Sequence, residues 1–256
     1  MKKIISIANQ KGGVGKTTTT VNLCTALAAT RKKTLLIDFD PQGNSSTSLG
    51  FDSKKRYPSV YELLTDQLPL KTLCRQTLIP NLSIVTASND LAGFEIEFSQ
   101  TKNRDSVLKR RLHELNYDYI IIDCPPALGL LTINALVASQ SVIIPLQCEY
   151  FALEGLSQLL QTVRLVQQYY NKSLKVQGIV LTMYDGRNAL NKAVVHDVRQ
   201  TMGSLVYQTV IPRNVKLSEA PSHGKPALIY DMKSAGAQAY IRLAAEIIRQ
   251  ERTHTS

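Results

Sequence analysis

A chain of 256 residues, 44% apolar and 20% charged, has the make-up of a globular protein with a sizeable core, which excludes a disordered or fibrous polymer. Its 30 Lys and Arg against 20 Asp and Glu give a formal net charge of +10. That balance favours an anionic partner such as nucleic acid or acidic lipid, although a generally basic soluble enzyme satisfies it as well. The cysteines Cys24, Cys74, Cys124 and Cys148 form no C-x-x-C pair, so neither a zinc site nor a disulfide scaffold is expected, and each reads as a small buried residue in a reducing cytoplasm. The N-terminal apolar run leads directly into a glycine loop rather than a cleavage site, and no run approaches the roughly 20 residues of a transmembrane helix.

In chain order, "KIISIA" (3–8) reads as a buried strand and Thr17 to Ala29 as a helix. "TLLIDF" (34–39) is a second strand, closed by the turn signal "DPQGN". The segment 44–80 is polar and gives little pattern, apart from the helical "SVYELL". "LSIVTA" (82–87) is a strand, and "RDSVLKRRLHEL" (104–115) is expected to form a charged helix. "YDYIIIDCPP" is a strong strand stopped by two prolines, followed by a strand at "SVIIPLQ" (141–147). A long helix is expected from Leu153 to Tyr170, strands at 174–183 and 205–211 with a helix near 190–202 between them, and a terminal helix over 234–250. Strands alternating with helices predict an α/β fold: a single domain over 1–250 with a doubly wound, mostly parallel sheet covered by helices on both faces, and a short disordered tail over 251–256. Ligands of such sheets sit at the carboxyl ends of the strands.

The chemistry-bearing motifs fall at those ends. "NQKGGVGKTT" lies between the first strand and the first helix, the context that makes a phosphate loop credible. Gly12, Gly13 and Gly15 let the backbone, with Val14, wrap a phosphate, and the following helix adds its positive N-terminal end. Lys16 would neutralise the β- and γ-phosphates, Thr17 would ligate Mg²⁺, and Thr18 would bond the α-phosphate. Asp123, ending an apolar strand, suits a carboxylate that holds Mg²⁺ through a water. Asp38 and Asp40 lie two apart and project to the same side. Asp40 is the choice for orienting the attacking water, though the same residue also suits the start of the Asp-Pro turn. Asp38 is assigned to the Mg²⁺ shell or the γ-phosphate region. The loop departs from the usual pattern in two ways: Gln10 stands at the first glycine position, and a second lysine, Lys11, precedes the glycines.

Together, "NQKGGVGKTTTTVNL", "LLIDFDPQGNSSTSLG", "YDYIIIDCPPALGLLTINAL", "IIPLQCEYFALEGLSQL" and "IPRNVKLSEAPSHGKPALIYD" resemble, in order, the blocks of the deviant-Walker-A ATPases of the ParA/Soj partition family. The resemblance implies a cytoplasmic, nucleoid-associated ATPase with weak intrinsic activity. Its ATP-bound homodimer would bind double-stranded DNA without sequence preference, and a ParB-type centromere-binding partner would stimulate hydrolysis and release. It implies that Lys11 reaches the nucleotide of a second subunit and so belongs with Lys16 and Asp40 in the catalytic set. Gly12 would let the two subunits approach, and Pro212 and Asn214 would pack near the adenine. Arg187 and Lys216 resemble DNA-contacting positions, with Lys225 extending the basic face; as single residues each also reads as an ordinary surface charge. His223 has no metal-ligand partner at suitable spacing and reads as structural. The first strand begins near residue 3, which leaves no room for the N-terminal helix-turn-helix of larger partition ATPases, so operator-specific binding is not expected.

Three rival readings share the loop. A MinD-like membrane-cycling division ATPase needs a free amphipathic C-terminal helix, but "AQAYIRLAAEIIRQERTHTS" reads better as a helix packed on the core, so no membrane partner is expected. A nitrogenase-reductase type needs cysteines from two subunits around an iron–sulfur cluster, whereas Cys124 and Cys148 fit the partition blocks without any ligand role. A cobyrinate-type or biotin-pathway ligase would show substrate-dependent turnover.

Overall fold

A computed structural model describes residues 2–112 and 116–253. The strands β1 (Lys3–Ile7), β2 (Thr34–Asp38), β3 (Arg75–Gln76), β4 (Leu82–Val85), β5 (Tyr119–Asp123), β6 (Ser141–Gln147), β7 (Lys175–Tyr184) and β8 (Val206–Pro212) form one sheet in the order β3-β4-β2-β5-β1-β6-β7-β8. Among the described residues, only the short edge strand β3 runs antiparallel to its neighbour; the other pairs are parallel. The fold is therefore the doubly wound α/β sheet that the strand–helix alternation predicts.

The central strands are continuous apolar runs because both faces are covered. Alternate residues enter two cores. Ile4, Leu35, Ile37, Ile120 and Ile122 face one, shared with the helices Leu130–Ala138, Ala152–Tyr169 and Ala189–Met202. Ile5, Ile7, Leu36, Ile121 and Ile143 face the other, under the helices Lys16–Ala29 and Ala235–Thr253. β1 lies between β5 and β6, where the winding reverses direction, and a crevice at the carboxyl edge is expected there. Register brings the functional ends level: Ile7 and Asp38 both pair with Asp123.

Several expectations need correction. The charged segment 104–115 is not one helix: a 3-10 turn, Arg104–Ser106, leads into a single helical stretch, Val107–Arg111. Its apolar residues Val107 and Leu108 are buried, too few to seat a longer amphipathic helix; 113–115 lie outside the described residues. The patternless 44–80 region folds into short helices, Asn44–Ser48, Val60–Leu64 and Leu70–Leu73, and supplies β3. The helix Leu130–Ala138 has no counterpart in the sequence reading, because a nearly all-apolar segment carries no 3.6-residue period. The terminal helix continues to Thr253, into the tail expected from residue 251, and 254–256 lie outside the described residues.

That terminal helix buries Ala237, Ala239, Tyr240, Leu243, Ala244 and Ile247 in the second core. Tyr240 Oη sits 3.1 Å from Thr19 Oγ1 on the loop helix. Its apolar stripe is occupied by the protein itself, which removes the feature a membrane-surface helix requires. Among the described residues, no helix is long and apolar enough to cross a membrane.

Candidate nucleotide site and the loops beside it

The glycine loop is held open by backbone geometry and by two strands. Gly13 and Gly15 have φ of 75° and 86°, the left-handed region that side-chain-bearing residues rarely enter. Gly15 is also the N-cap of the helix Lys16–Ala29, so the first amides of that helix point into the loop. Buried Asn9 donates from Nδ2 to the Pro145 carbonyl of β6 (2.7 Å) and accepts the Lys11 amide (3.0 Å), fixing the loop's entry. Thr182 of β7 donates to the Val14 carbonyl (2.8 Å), fixing its far side.

Lys16 is buried beneath this loop, and its Nζ donates to the Lys11 carbonyl at 3.0 Å. Burial lowers its pKa, opposed by the nearby carboxylates of Asp123 and Asp40. A phosphate in the loop would supply the anionic hydrogen-bond partner that a neutral carbonyl does not.

Three hydroxyls converge on Asp123. Thr17 (2.9 Å) and Ser45 (2.8 Å) donate to its Oδ2, and Thr20 (3.0 Å) to its Oδ1. The carboxylate is fully buried, and burial raises its pKa against those hydrogen bonds. Thr17 and Asp123, which come from elements 106 residues apart, are thus joined as the sequence motifs require. Asp38 is buried as well and turned into the protein: its Oδ2 accepts the Ser46 amide (2.7 Å) and hydroxyl (2.6 Å). Burial raises its pKa, with the charge of Asp123 adding to the effect. Asp40, also buried, completes this acidic group. Its Oδ1 accepts the Gln42 amide (3.0 Å) and its carbonyl accepts the Gly43 amide (2.8 Å). It therefore does start the Asp-Pro turn, and it lies beside Lys16 as well.

A cavity of about 440 Å³ opens next to the loop, lined by Gly15, Thr18, Met183, Pro212, Asn214 and Tyr240 among others. Pro212 ends β8, and Asn214 caps the helix Val215–Glu219 by accepting the Lys216 amide (3.1 Å). Met183, at the end of β7, has φ of 53°, a left-handed backbone that is uncommon for a residue with a side chain and typical of functional sites. The site thus joins a phosphate-sized loop, a hydroxyl–carboxylate pair suited to Mg²⁺ and a part-apolar cavity, the components a purine nucleotide requires.

Lys11 stands apart from this group. Its side chain is 46% exposed and forms an ion pair with Glu149, in the loop just after β6. A Cβ added at Gly12 would meet nothing within 4 Å, so among the described residues no neighbour requires glycine there. Arg187, 91% exposed, makes a two-point pair with Asp185: Nε to Oδ1 at 3.0 Å and Nη2 to Oδ2 at 2.9 Å. These bonds hold Asp185 down at about 2. Lys216 Nζ lies 2.9 Å from Glu219 Oε2 and 5.5 Å from the centre of the Tyr230 ring. Lys225 is exposed on the following loop. Arg187 and Lys216 follow the neighbouring strands β7 and β8, tied together by the Arg213 amide on the Tyr184 carbonyl (2.9 Å).

Sequence reasoning missed several partners. Ser45 and Ser46, which hold Asp123 and Asp38, lie in "GNSSTS", where a run of hydroxyls directly after an acidic strand end was the available signal. Glu149 and the buried Asn191 gave no local signal. Asn191 donates to the Cys148 carbonyl (2.7 Å) and accepts the Asp185 amide (2.8 Å), linking the Lys11 side of the molecule to the Arg187 loop. Exposed Arg213 is close enough to Asp185 to contribute to its lowered pKa.

Comparison with known proteins gives a concordant result. A family model described as an AAA domain matches residues 2–176. The sporulation initiation inhibitor protein Soj of Bacillus subtilis is 55% identical over 249 residues, covering 96% of this chain and 98% of that protein. The chromosome partitioning protein ParA of Caulobacter vibrioides is 51% identical, covering 98% of this chain and 95% of that protein. Among solved structures, a cobyrinic acid a,c-diamide synthase from Mycobacterium smegmatis, with bound ATP analog and magnesium, superposes with a TM-score of 0.88 at 37% identity, covering 99% of this chain and 97% of that one.

Proposed function

The chain belongs to the ParA/Soj family of chromosome-partitioning proteins, and from that premise we propose that it is an ATP-driven switch for DNA segregation. Its reaction is the hydrolysis of ATP to ADP and phosphate. The loop amides of Gly12 to Gly15 and the Lys16 ammonium would hold the β- and γ-phosphates, with Thr18 at the α-phosphate and the adenine beside Pro212 and Asn214. Thr17 and, through water, Asp123 would hold Mg²⁺, which supplies charge neutralisation on the phosphates; Asp38, itself held by Ser46, would assist that shell or the γ-phosphate region. Asp40 would orient the attacking water.

The observation that carries the switch reading is the division between the two lysines. Lys16 is buried under its own loop, whereas Lys11 points outward next to a glycine with open space above it. A γ-phosphate presented by a second copy would draw Lys11 from Glu149, so ATP favours a homodimer and ADP favours separation. In the dimer, Arg187, Lys216 and Lys225 of both copies would make phosphate contacts to double-stranded DNA without reading sequence. A ParB-type centromere-binding protein would stimulate hydrolysis and release, in a cytoplasmic protein associated with the nucleoid while ATP is bound. The terminal helix, its apolar stripe packed on the core, supports this reading over a membrane-cycling one.

A DNA mobility shift titrated with salt tests the proposal. Binding with ATP, weak binding with ADP and a steep fall in affinity with salt are expected. Equal binding in both nucleotides would contradict it.

A further inference from the structure

Arg56 lies outside every motif, yet its guanidinium is aimed at the turn that carries Asp40. Nη1 donates to the Gln42 carbonyl (3.1 Å), Nη2 to the Thr47 hydroxyl (2.5 Å) and Nε to the Phe51 carbonyl (3.3 Å). Thr47 in turn donates to the Gly43 carbonyl (3.2 Å). One planar fork therefore joins the turn after Asp40, the helix Asn44–Ser48 and the chain beyond that helix. Gly43 lies directly under the guanidinium: its φ is 64°, and a Cβ built there would collide with Nη1 and Cζ. The backbone of Arg56 is fixed from the other side, because fully buried Thr86, just past β4, donates to the Arg56 carbonyl (2.6 Å). The fork is thus referenced to the sheet.

None of the three acceptors is a carboxylate, so these bonds fix geometry rather than pair charge. What they fix is close to the chemistry. The Gln42 amide bonds the Asp40 carboxylate while the Gln42 carbonyl bonds Arg56, so one residue is held at both ends. Ser45 and Ser46, the next donors along, hold Asp123 and Asp38. A lysine offers a point charge in place of this three-way fork and cannot reproduce it.

We propose that Arg56 is a positioning residue for hydrolysis, which holds the Asp40–Ser46 segment so that the Asp40 carboxylate meets the attacking water. The inference rests on the reading of Asp40 as the water-orienting group. Misplacing such a group by about 1 Å costs up to about a hundredfold in rate. Arg56 makes no bond to the phosphate loop or to Pro212 and Asn214, so its loss should slow the chemical step and leave nucleotide affinity intact.

The test is single-turnover ATP hydrolysis together with affinity for a non-hydrolysable ATP analogue, in the wild type and in Arg56→Ala, Arg56→Lys, Gly43→Ala and Asp40→Ala. Arg56→Ala is expected to slow hydrolysis at least about tenfold with analogue affinity unchanged. Gly43→Ala, which strains the left-handed turn as well as displacing the guanidinium, should show the same split, and Arg56→Lys should recover only a small part of the rate. Arg56→Ala hydrolysing within about twofold of wild type, beside an inactive Asp40→Ala, would overturn the role of Arg56 alone. Loss of analogue affinity in both Arg56 variants would also overturn it, since the residue would then be a general structural support. An Asp40→Ala protein with normal hydrolysis would instead overturn the reading of Asp40.

Discussion

The two ends of this proposed switch are built differently. Around the nucleotide loop, Lys16, Asp38 and Asp123 are buried, and hydrogen bonds from the protein fix each one. In the segments after β7 and β8, Arg187 on a loop and Lys216 on the short helix Val215–Glu219 reach the surface, each paired with one carboxylate close in sequence. Buried ionisable groups without dense hydrogen bonding are costly, so the first region must be over-determined. Exposed ion pairs contribute little to stability, so the second region is free to exchange Asp185 and Glu219 for a phosphate. Changes in the buried region should therefore alter chemistry and stability together, and changes at the surface should alter DNA affinity alone.

The largest expected break in that comparison is Asp40→Ala, which should reduce hydrolysis by about a hundredfold or more, in the range for loss of a general base. Mobility shifts should show the variant still binding DNA with ATP, held in its bound state. Next comes Arg187→Glu, expected to lower DNA affinity at least about tenfold and to reduce the salt slope by about 1 for each phosphate no longer neutralised, with hydrolysis in the absence of DNA unchanged. Its counterpart Asp185→Ala removes the competing carboxylate and should raise DNA affinity by about two- to fivefold in the same assay, the gain of an exposed pair.

The smallest effect is on stability. Burial raises the pKa values of Asp38 and Asp123 above those of the unfolded chain, so between the two the folded state binds more protons. Without Mg²⁺, stability should then fall as pH rises through those raised values, the reverse of a salt-bridged carboxylate. Urea melts of the metal-free protein at a series of pH values should show this decline, and Asp123→Asn should flatten it.

The same contrast governs what could be read from the sequence. The loop, Thr17, Asp123 and the strand ends were legible because each motif sits at a strand–helix junction that the apolar pattern marks independently. Asp40 was legible as a choice between two roles, and the structure gives it the turn without excluding the water. The partners that fix these residues were not legible: Ser45, Ser46 and Arg56 fall in a polar stretch of short helices whose positions depend on tertiary contacts. Arg187 and Lys216 were singled out only through resemblance, since composition cannot distinguish an arginine proposed to contact DNA from any exposed one. The expected helix over 104–115 failed for a related reason, because charge without a sustained apolar stripe gives a helix nothing to pack.

Lys11 stands between the two regions, and the claim that ATP controls association depends on it. The most direct test is the mass in solution, by light scattering, of the wild type and of Lys11→Ala with a non-hydrolysable ATP analogue, with analogue binding measured in parallel. The expected result is a dimer for the wild type and a monomer for Lys11→Ala, with both proteins binding the analogue. A Lys11→Ala protein that dimerises as the wild type does would contradict the account.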